Sequence, residues 1–318
     1  MGLAERLRRL FAPSEVSAGR SQGDDGPVVD GIKAAEEQGD EDAAYERAVL
    51  AFMRTQELEE RRATQVIGFE SGPVALAFLG DQHLGDAGTD VEWCMKDAQL
   101  VRDTPGMWAA ILGDTVNNFV WPSLLPVRLI AEAPIPDEWA LARRFLRVLG
   151  PKLVLSVGGN HEGWTKRLAG IDYWREVVAS VRPECIYDAD DARLDVRVGS
   201  RSWRMRVRHK WRGSSIYNPS HGIERAFKWD QDFEIGVGGH THASGVVRSF
   251  NAAGSTGWAA MVGSYKRVDE FARRGGFAKA NGSAAVALLF DEVSGRAVGF
   301  DDLGLCARVL TAMRSEEG

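Results

Sequence analysis

Four times in this sequence an apolar run ends in glycine and is followed at once by residues that can bind a cation. VALAFL (residues 74–79) leads into Gly80-Asp81-Gln82-His83, and MWAAIL (107–112) into Gly113-Asp114. LVLSV (153–157) leads into Gly158-Gly159-Asn160-His161, and FEIGV (233–237) into Gly238-Gly239-His240-Thr241-His242. Glycine allows the backbone to turn sharply and sets the next side chain over the edge of a sheet. In open α/β sheets the crevice beyond the carboxyl ends of the strands is where ligands bind. Carboxylate, imidazole and amide oxygen meeting on one rim make the donor set of a hard or borderline divalent metal.

The chain has six histidines, and five of them (His83, His161, His209, His240 and His242) belong to this pattern. His209 is the one away from a strand end. In Trp203-Arg204-Met205-Arg206-Val207-Arg208-His209-Lys210-Trp211-Arg212 the odd positions are apolar and the even ones basic. Side chains of a strand alternate faces, so His209 is expected to point inward with Trp203, Met205, Val207 and Trp211. An inward imidazole in an apolar row needs a partner, and a metal supplies one.

The elements that must hold these residues are readable as far as their order. Residues 74–79, 107–112 and 153–157 read as buried strands, with helices over 91–101, opened by Thr89 or Asp90, and 138–148. Beyond residue 190 six further strands are expected over 192–198, 203–211, 233–237, 245–250, 259–265 and 284–290. The βαβα opening followed by strands suggests two sheets packed face to face with helices outside. Residues 1–40 read as a flexible segment rich in Gly, Ser, Asp and Pro. A helical extension follows over 41–70, with Tyr45, Val49, Phe52 and Met53 at helical spacing, then a domain over 71–305 and a tail over 306–318. The helical extension reads as a helix packed on the surface of the main domain or as an arm for a protein partner or nucleic acid.

With 318 residues, 39 Lys plus Arg and 45 Asp plus Glu, the net charge is −6, which argues against nucleic-acid binding through overall charge. No window reaches the roughly 18 apolar residues of a membrane span, and the N-terminus does not read as a signal peptide. Cys94, Cys185 and Cys306 are far apart and odd in number, which points to reduced thiols and a cytoplasmic protein.

The order Asp-x-His, Gly-Asp, Gly-Asn-His-Glu, a later His and then Gly-His-x-His resembles the calcineurin-like metallophosphoesterase superfamily, over roughly Pro73 to Phe300. The resemblance implies an α/β fold, a four-layer αββα sandwich of two mixed sheets flanked by helices, and two divalent metal ions. Asp81, His83 and His242 would hold one ion, Asn160, His209 and His240 the other, and Asp114 would bridge them. Manganese is the first expectation for the metals, with iron, zinc, nickel or magnesium as alternatives, because such ligands suit them all. Two such ions acidify a shared water and neutralise the phosphoryl oxygens for in-line attack, with His161 as general acid toward the leaving oxygen.

Gly113-Asp114-Thr115-Val116-Asn117-Asn118 departs from the protein Ser/Thr phosphatases, which carry an acidic residue and an arginine where Asn117 and Asn118 stand. The phosphomonoester clamp is thus missing, and nothing at position 117 favours the imidazolium of His161; Glu162 either does so or is a second-layer or surface carboxylate. Asn118 is expected to touch substrate phosphate. Arg204, Arg206, Arg208, Lys210 and Arg212 either track a phosphate backbone or protect a solvated edge strand, with Arg208 the named substrate contact and the tryptophans on the opposite face. His221 is a turn residue or a substrate contact, and 118–138 a lid or a plugged connection. These residues point to a phosphodiesterase acting on nucleic acid or nucleotides. The alternatives are a phosphomonoesterase for a small metabolite and a noncatalytic metal-bearing scaffold.

Overall fold

A computed structural model describes residues 28–60, 64–124, 133–214, 217–230, 232–252, 255–267 and 282–316. The chain divides into two compact units, Met1–Arg62 and Ala63–Gly318. Among the described residues of the first, a helix, α1, runs over Val28–Glu60. It starts inside the stretch read as flexible, and residues 1–27 lie outside the described residues. The extension expected to reach residue 70 stops short, because Gln65–Phe69 is a strand, β1.

The second unit is a sandwich of two six-stranded sheets. One contains β2 (Val74–Leu79), β3 (Met107–Ile111), β4 (Leu153–Val157), β5 (Ile186–Asp188), β11 (Val286–Asp291) and β12 (Arg296–Phe300), in the order β12-β11-β2-β3-β4-β5. Here β2 through β5 run parallel, while β11 and β12 are antiparallel additions. The other contains β6 (Asp191–Val198), β7 (Arg201–Arg208), β8 (Ile235–Gly238), β9 (Val246–Ala252) and β10 (Ser255–Met261) in the order β1-β6-β7-β8-β10-β9. Both sheets are mixed, and helices cover both outer faces, giving the αββα layering.

Alternation along the strands makes the layers. In β2, Leu76 and Phe78 enter the core between the sheets with Val207, Val237, Leu288 and Phe290. Ala75, Ala77 and Leu79 face the helical side with Phe145, Leu146 and Trp174. Burial on both faces is why this strand is uninterruptedly apolar. Helices α2 (Val91–Asp103), α3 (Ile135–Leu149) and α5 (Tyr173–Val181) pack on that side. Asp90, rather than Thr89, caps α2, its Oδ1 accepting from the Trp93 N–H at 3.0 Å. Helix α4 (Asn160–Ala169) follows β4 directly.

Neither α4 nor α5 was foreseen from the sequence, nor were two further helices. Leu303–Glu316 forms α7, burying Leu303, Cys306, Ala307 and Leu310 at i, i+3, i+4 and i+7, so the segment taken as a tail is part of the sandwich. His221–Asp230 forms α6, which lays Ile223 and Phe227 against Phe233, Met261 and Trp211 on the outer face of the other sheet. His221 is therefore the first residue of a helix rather than part of a turn loop. Of the loop over 118–138, Pro122–Leu124 is a 3-10 turn and α3 begins at Ile135; residues 125–132 lie outside the described residues.

The basic strand also departs from expectation. β7 is no edge, since it pairs with β6 on one side and β8 on the other. Arg206 is buried, its Nε and Nη2 donating to the two oxygens of Asp191 at 2.9 and 2.7 Å. Burial acts to raise the Asp191 carboxyl, but Arg206, Arg208 and Arg193 outweigh it and hold it below the usual range. The strand ends at Arg208, and Trp211 lies on the outer side, its ring centroid 5.8 Å from the Arg206 guanidinium and 5.6 Å from that of Arg208. The arginines and a tryptophan thus share a face. We expect Arg206→Met to lower stability by about 3 kcal/mol in urea unfolding, because it leaves a buried carboxylate short of its bidentate partner. The double change Arg206→Met, Asp191→Leu should recover most of that loss. A double variant no more stable than the single one would show that the cost is packing.

Candidate metal centre

The carboxyl ends of β2, β3 and β4 in one sheet and of β7 and β8 in the other deliver their side chains to a single rim. Asp81, His83 and His242 form one group whose donor atoms all lie within 4.8 Å of one another. Asp114, His209 and His240 form a second, and His83, Asp114 and His161 a third that joins them. Asn160 belongs with the second, its Oδ1 3.1 Å from His209 Nε2. Every residue expected to ligate metal is therefore brought to one place.

Each aspartate spends one oxygen on structure and turns the other to the pocket. Asp81 Oδ2 accepts the His240 N–H at 2.9 Å, and its Oδ1 lies 3.2 Å from His242 Nε2. Asp114 Oδ1 accepts the His161 N–H at 3.0 Å, while Oδ2 lies 3.1 Å from His209 Nε2 and 3.7 Å from His161 Nε2. Asp81 thereby ties the two sheets together, and Asp114 ties its loop to the start of α4.

The imidazoles are oriented from behind. His83 Nδ1–H donates to Asn117 Oδ1 at 3.0 Å, and Asn117 Nδ2 donates in turn to Asp86, which Lys266 pairs at 2.9 Å. His209 Nδ1–H donates to the Leu112 carbonyl at 2.7 Å. Both Nε2 atoms are left facing the pocket, His83 Nε2 standing 2.9 Å from His242 Nε2 and His209 Nε2 3.2 Å from His240 Nδ1. Nitrogens that share a metal at about 2.0–2.1 Å bond length stand roughly 3 Å apart, so this spacing fits a common ion. The buried Asp81 Oδ1 accepts no hydrogen bond among the described residues, which fits a cation beside it. The donor set suits divalent metal.

Electrostatics sort the histidines. Burial, reinforced by His161 and His242, holds His83 well below the usual imidazole range. Burial with His209 and Lys210 pushes His240 down to about 4. Both are neutral and offer lone pairs at physiological pH. Burial also works against charge on His209, but Asp114 and Asp81 overcome it and carry that imidazole up to about 10. Asp114 is correspondingly held well below the carboxylate range, against its own burial, chiefly by His209 and His161. A metal cation binding between Asp114 and His209 would displace that proton.

The rim is built at some conformational cost. Six non-glycine residues of the described chain have left-handed backbones: Asp81, His83, Asp114, Asn118, His240 and His242, with φ between 45° and 73°. Five of them are among the seven proposed ligands, and such strain persists where surrounding contacts dictate it. The loops also touch closely, since any side chain at Gly159 would collide with Asp114.

Three other expected residues stand differently. Asn118 is buried, and its Nδ2 donates to the His161 carbonyl at 2.7 Å and to Thr165 Oγ1 at 2.9 Å. Its amide donors position α4 rather than face a phosphate. Arg208 lies on the outer face of its sheet, 3.9 Å from Asp191, and His221 is exposed at the start of α6; neither is among the donor groups. Glu162 proves to be a clamp. Its oxygens accept the N–H groups of Asp114, Thr115 and Gly159 at 3.0, 2.6 and 3.1 Å, and burial, with Asp114 nearby, pushes its carboxyl up to about 7. The carbonyl of Asn117, at 2.6 Å, is what meets His161 Nδ1–H. Position 117 therefore does hold the imidazole, through its main chain. Sequence reasoning missed Asn117 both as the side-chain orienter of His83 and as the main-chain acceptor for His161, and the second role leaves no trace in side-chain type.

Two mixed six-stranded sheets with helices on both faces, carrying these donors on one rim, are consistent with the calcineurin-like metallophosphoesterase fold. Neither the protein-family models nor the curated proteins give a match to the chain. Among solved structures, Vps29 from Chaetomium thermophilum is similar at 12% identity and TM-score 0.33, over 71% of this chain and 96% of that one. A nuclease MPE from Pseudomonas putida shares 16% identity at TM-score 0.32 over 71% and 87%, and a metallophosphoesterase from Sphaerobacter thermophilus 14% at 0.32 over 72% and 88%. Likeness at this level carries no argument about activity, which rests on the site itself.

Proposed function

We propose that the domain is a metal-dependent phosphoesterase that cleaves phosphodiesters, with nucleotides or nucleic acid as the substrate class. The observation that carries this reading is the convergence of Asp81, His83, Asp114, Asn160, His209, His240 and His242 from five strand ends, with Asp114 shared. Asp81, His83 and His242 would hold one divalent ion and Asn160, His209 and His240 a second, with Asp114 between them; manganese, iron, zinc, nickel and magnesium all suit the donors. When bound, such ions acidify water and neutralise phosphoryl oxygens.

The rest is done by the chain. Asp81 and Asp114 are the only carboxylates in the three donor groups, so the loaded pocket stays positive and favours an anionic ester. His161 is held through Nδ1–H by the Asn117 carbonyl, so its imidazolium form carries a second proton on Nε2, at the pocket side, for donation. As water oxygen joins phosphorus, the bond from phosphorus to the leaving oxygen breaks and that oxygen takes the proton. The diester preference is supported by Asn117 and Asn118, which stand where a monoester clamp would need an acid and an arginine. Three cysteines buried as free thiols support a cytoplasmic setting.

With Mn²⁺ supplied, purified protein should turn over bis-p-nitrophenyl phosphate faster than p-nitrophenyl phosphate. A monoester rate well above the diester rate would overturn the diester preference, and no turnover of either would overturn the enzyme reading.

A further inference from the structure

Beside His161 stands an aromatic pair with no part in the chemistry so far. Trp164 follows His161 by one helical turn, its ring centroid 4.2 Å away and its plane inclined by 31°. Phe119 lies 6.2 Å from Trp164, their planes within 30°, and 5.7 Å from His161. Both rings are only half-buried and belong to none of the buried core clusters. They are nevertheless fixed. Asn118 Nδ2 binds the His161 carbonyl and Thr165 Oγ1, and the Asn117 carbonyl binds His161 Nδ1–H. Residues 117–118, which lead into Phe119, and the first turns of α4, which carry Trp164, are therefore tied to each other, so a ligand resting on the rings orders little that is not already ordered.

We propose that Trp164 and Phe119 form a shelf for the base of a nucleoside leaving group. The inference rests on the phosphoesterase reading and narrows its substrate to esters of a nucleoside hydroxyl. His161 matters most where the leaving oxygen is a poor one, as a sugar alkoxide is. A group attached through that oxygen has to pass His161, and the aromatic pair stands with its ring centroids 4.2 and 5.7 Å from that imidazole. A flat, partly exposed aromatic surface beside a phosphate site selects for a flat partner, and stacking of this kind tolerates any base.

The test uses the full chain loaded with Mn²⁺ and compares adenosine 5′-monophosphate with ribose 5-phosphate by titration calorimetry. Base stacking predicts that the nucleotide binds about tenfold tighter. Trp164→Ala should bring the nucleotide down to the level of the sugar phosphate and leave the sugar phosphate unchanged, whereas Trp164→Phe should keep most of the difference. Equal binding of the two ligands by the unaltered protein would overturn the shelf. So would a Trp164→Ala variant that weakens both ligands alike, since the ring would then only position His161. If neither ligand binds the manganese-loaded protein the shelf is overturned, while turnover of bis-p-nitrophenyl phosphate by the same preparation decides separately whether the phosphoesterase reading stands.

Discussion

His161→Ala should lose roughly 10²–10⁴ of its kcat/KM on a diester with an alkoxide leaving group, the range that a positioned proton donor contributes. Its loss on an aryl diester should be far smaller, because p-nitrophenolate departs without a proton. The split follows from geometry. His161 Nε2 is 3.7 Å from Asp114 Oδ2 at the edge of the donor cluster, and its other nitrogen is engaged by a main-chain carbonyl. Metal content, measured by elemental analysis, should be unchanged. An equal loss on both esters would mean that His161 supports the pocket, and a loss of bound metal would make it a ligand.

Asp114→Asn should do more damage from a smaller change. The amide can still accept the His161 N–H through its oxygen, so α4 keeps its anchor and circular dichroism should be unaltered. What disappears is the charge that faces His209 at 3.1 Å and is shared by two of the three donor groups. Groups that merely orient a ligand cost about 10–100-fold in metal affinity or activity when altered, so loss of a shared carboxylate should cost more than a hundredfold in affinity. Turnover should fall to background. His209 should also lose the partner that carries its imidazole to about 10. Equilibrium dialysis decides the matter, since two ions held with unchanged affinity would show that Asp114 is structural.

The donor set was legible because each donor except His209 follows directly on an apolar strand, His209 being read instead from the alternation of its own row, and strand ends share a rim whatever the order of the strands. The order itself was not. β1 pairs in parallel with β6 through residues 65–69 and 194–198, a partnership that no local pattern announces. The arginines of β7 were legible as an alternating row but not as partners of Asp191, because that carboxylate reaches them only through the register of β6 on β7. Leu303, Cys306, Ala307 and Leu310 did carry a helical period, and the short segment at the end of the chain hid it. The left-handed backbones of Asp81, His83, Asp114, His240 and His242 could not be read at all, since tertiary contacts impose them on residues that would otherwise avoid them.

The donors are divided between the sheets. Asp81, His83, Asp114 and Asn160 come from one, and His209, His240 and His242 from the other, with the buried faces of β2 and β7 between. Neither the Asp81, His83 and His242 group nor the Asp114, His209 and His240 group is complete within one sheet. A chain that had assembled a single sheet would leave both of those groups unfinished, so the full donor set exists only once the two layers have closed on each other.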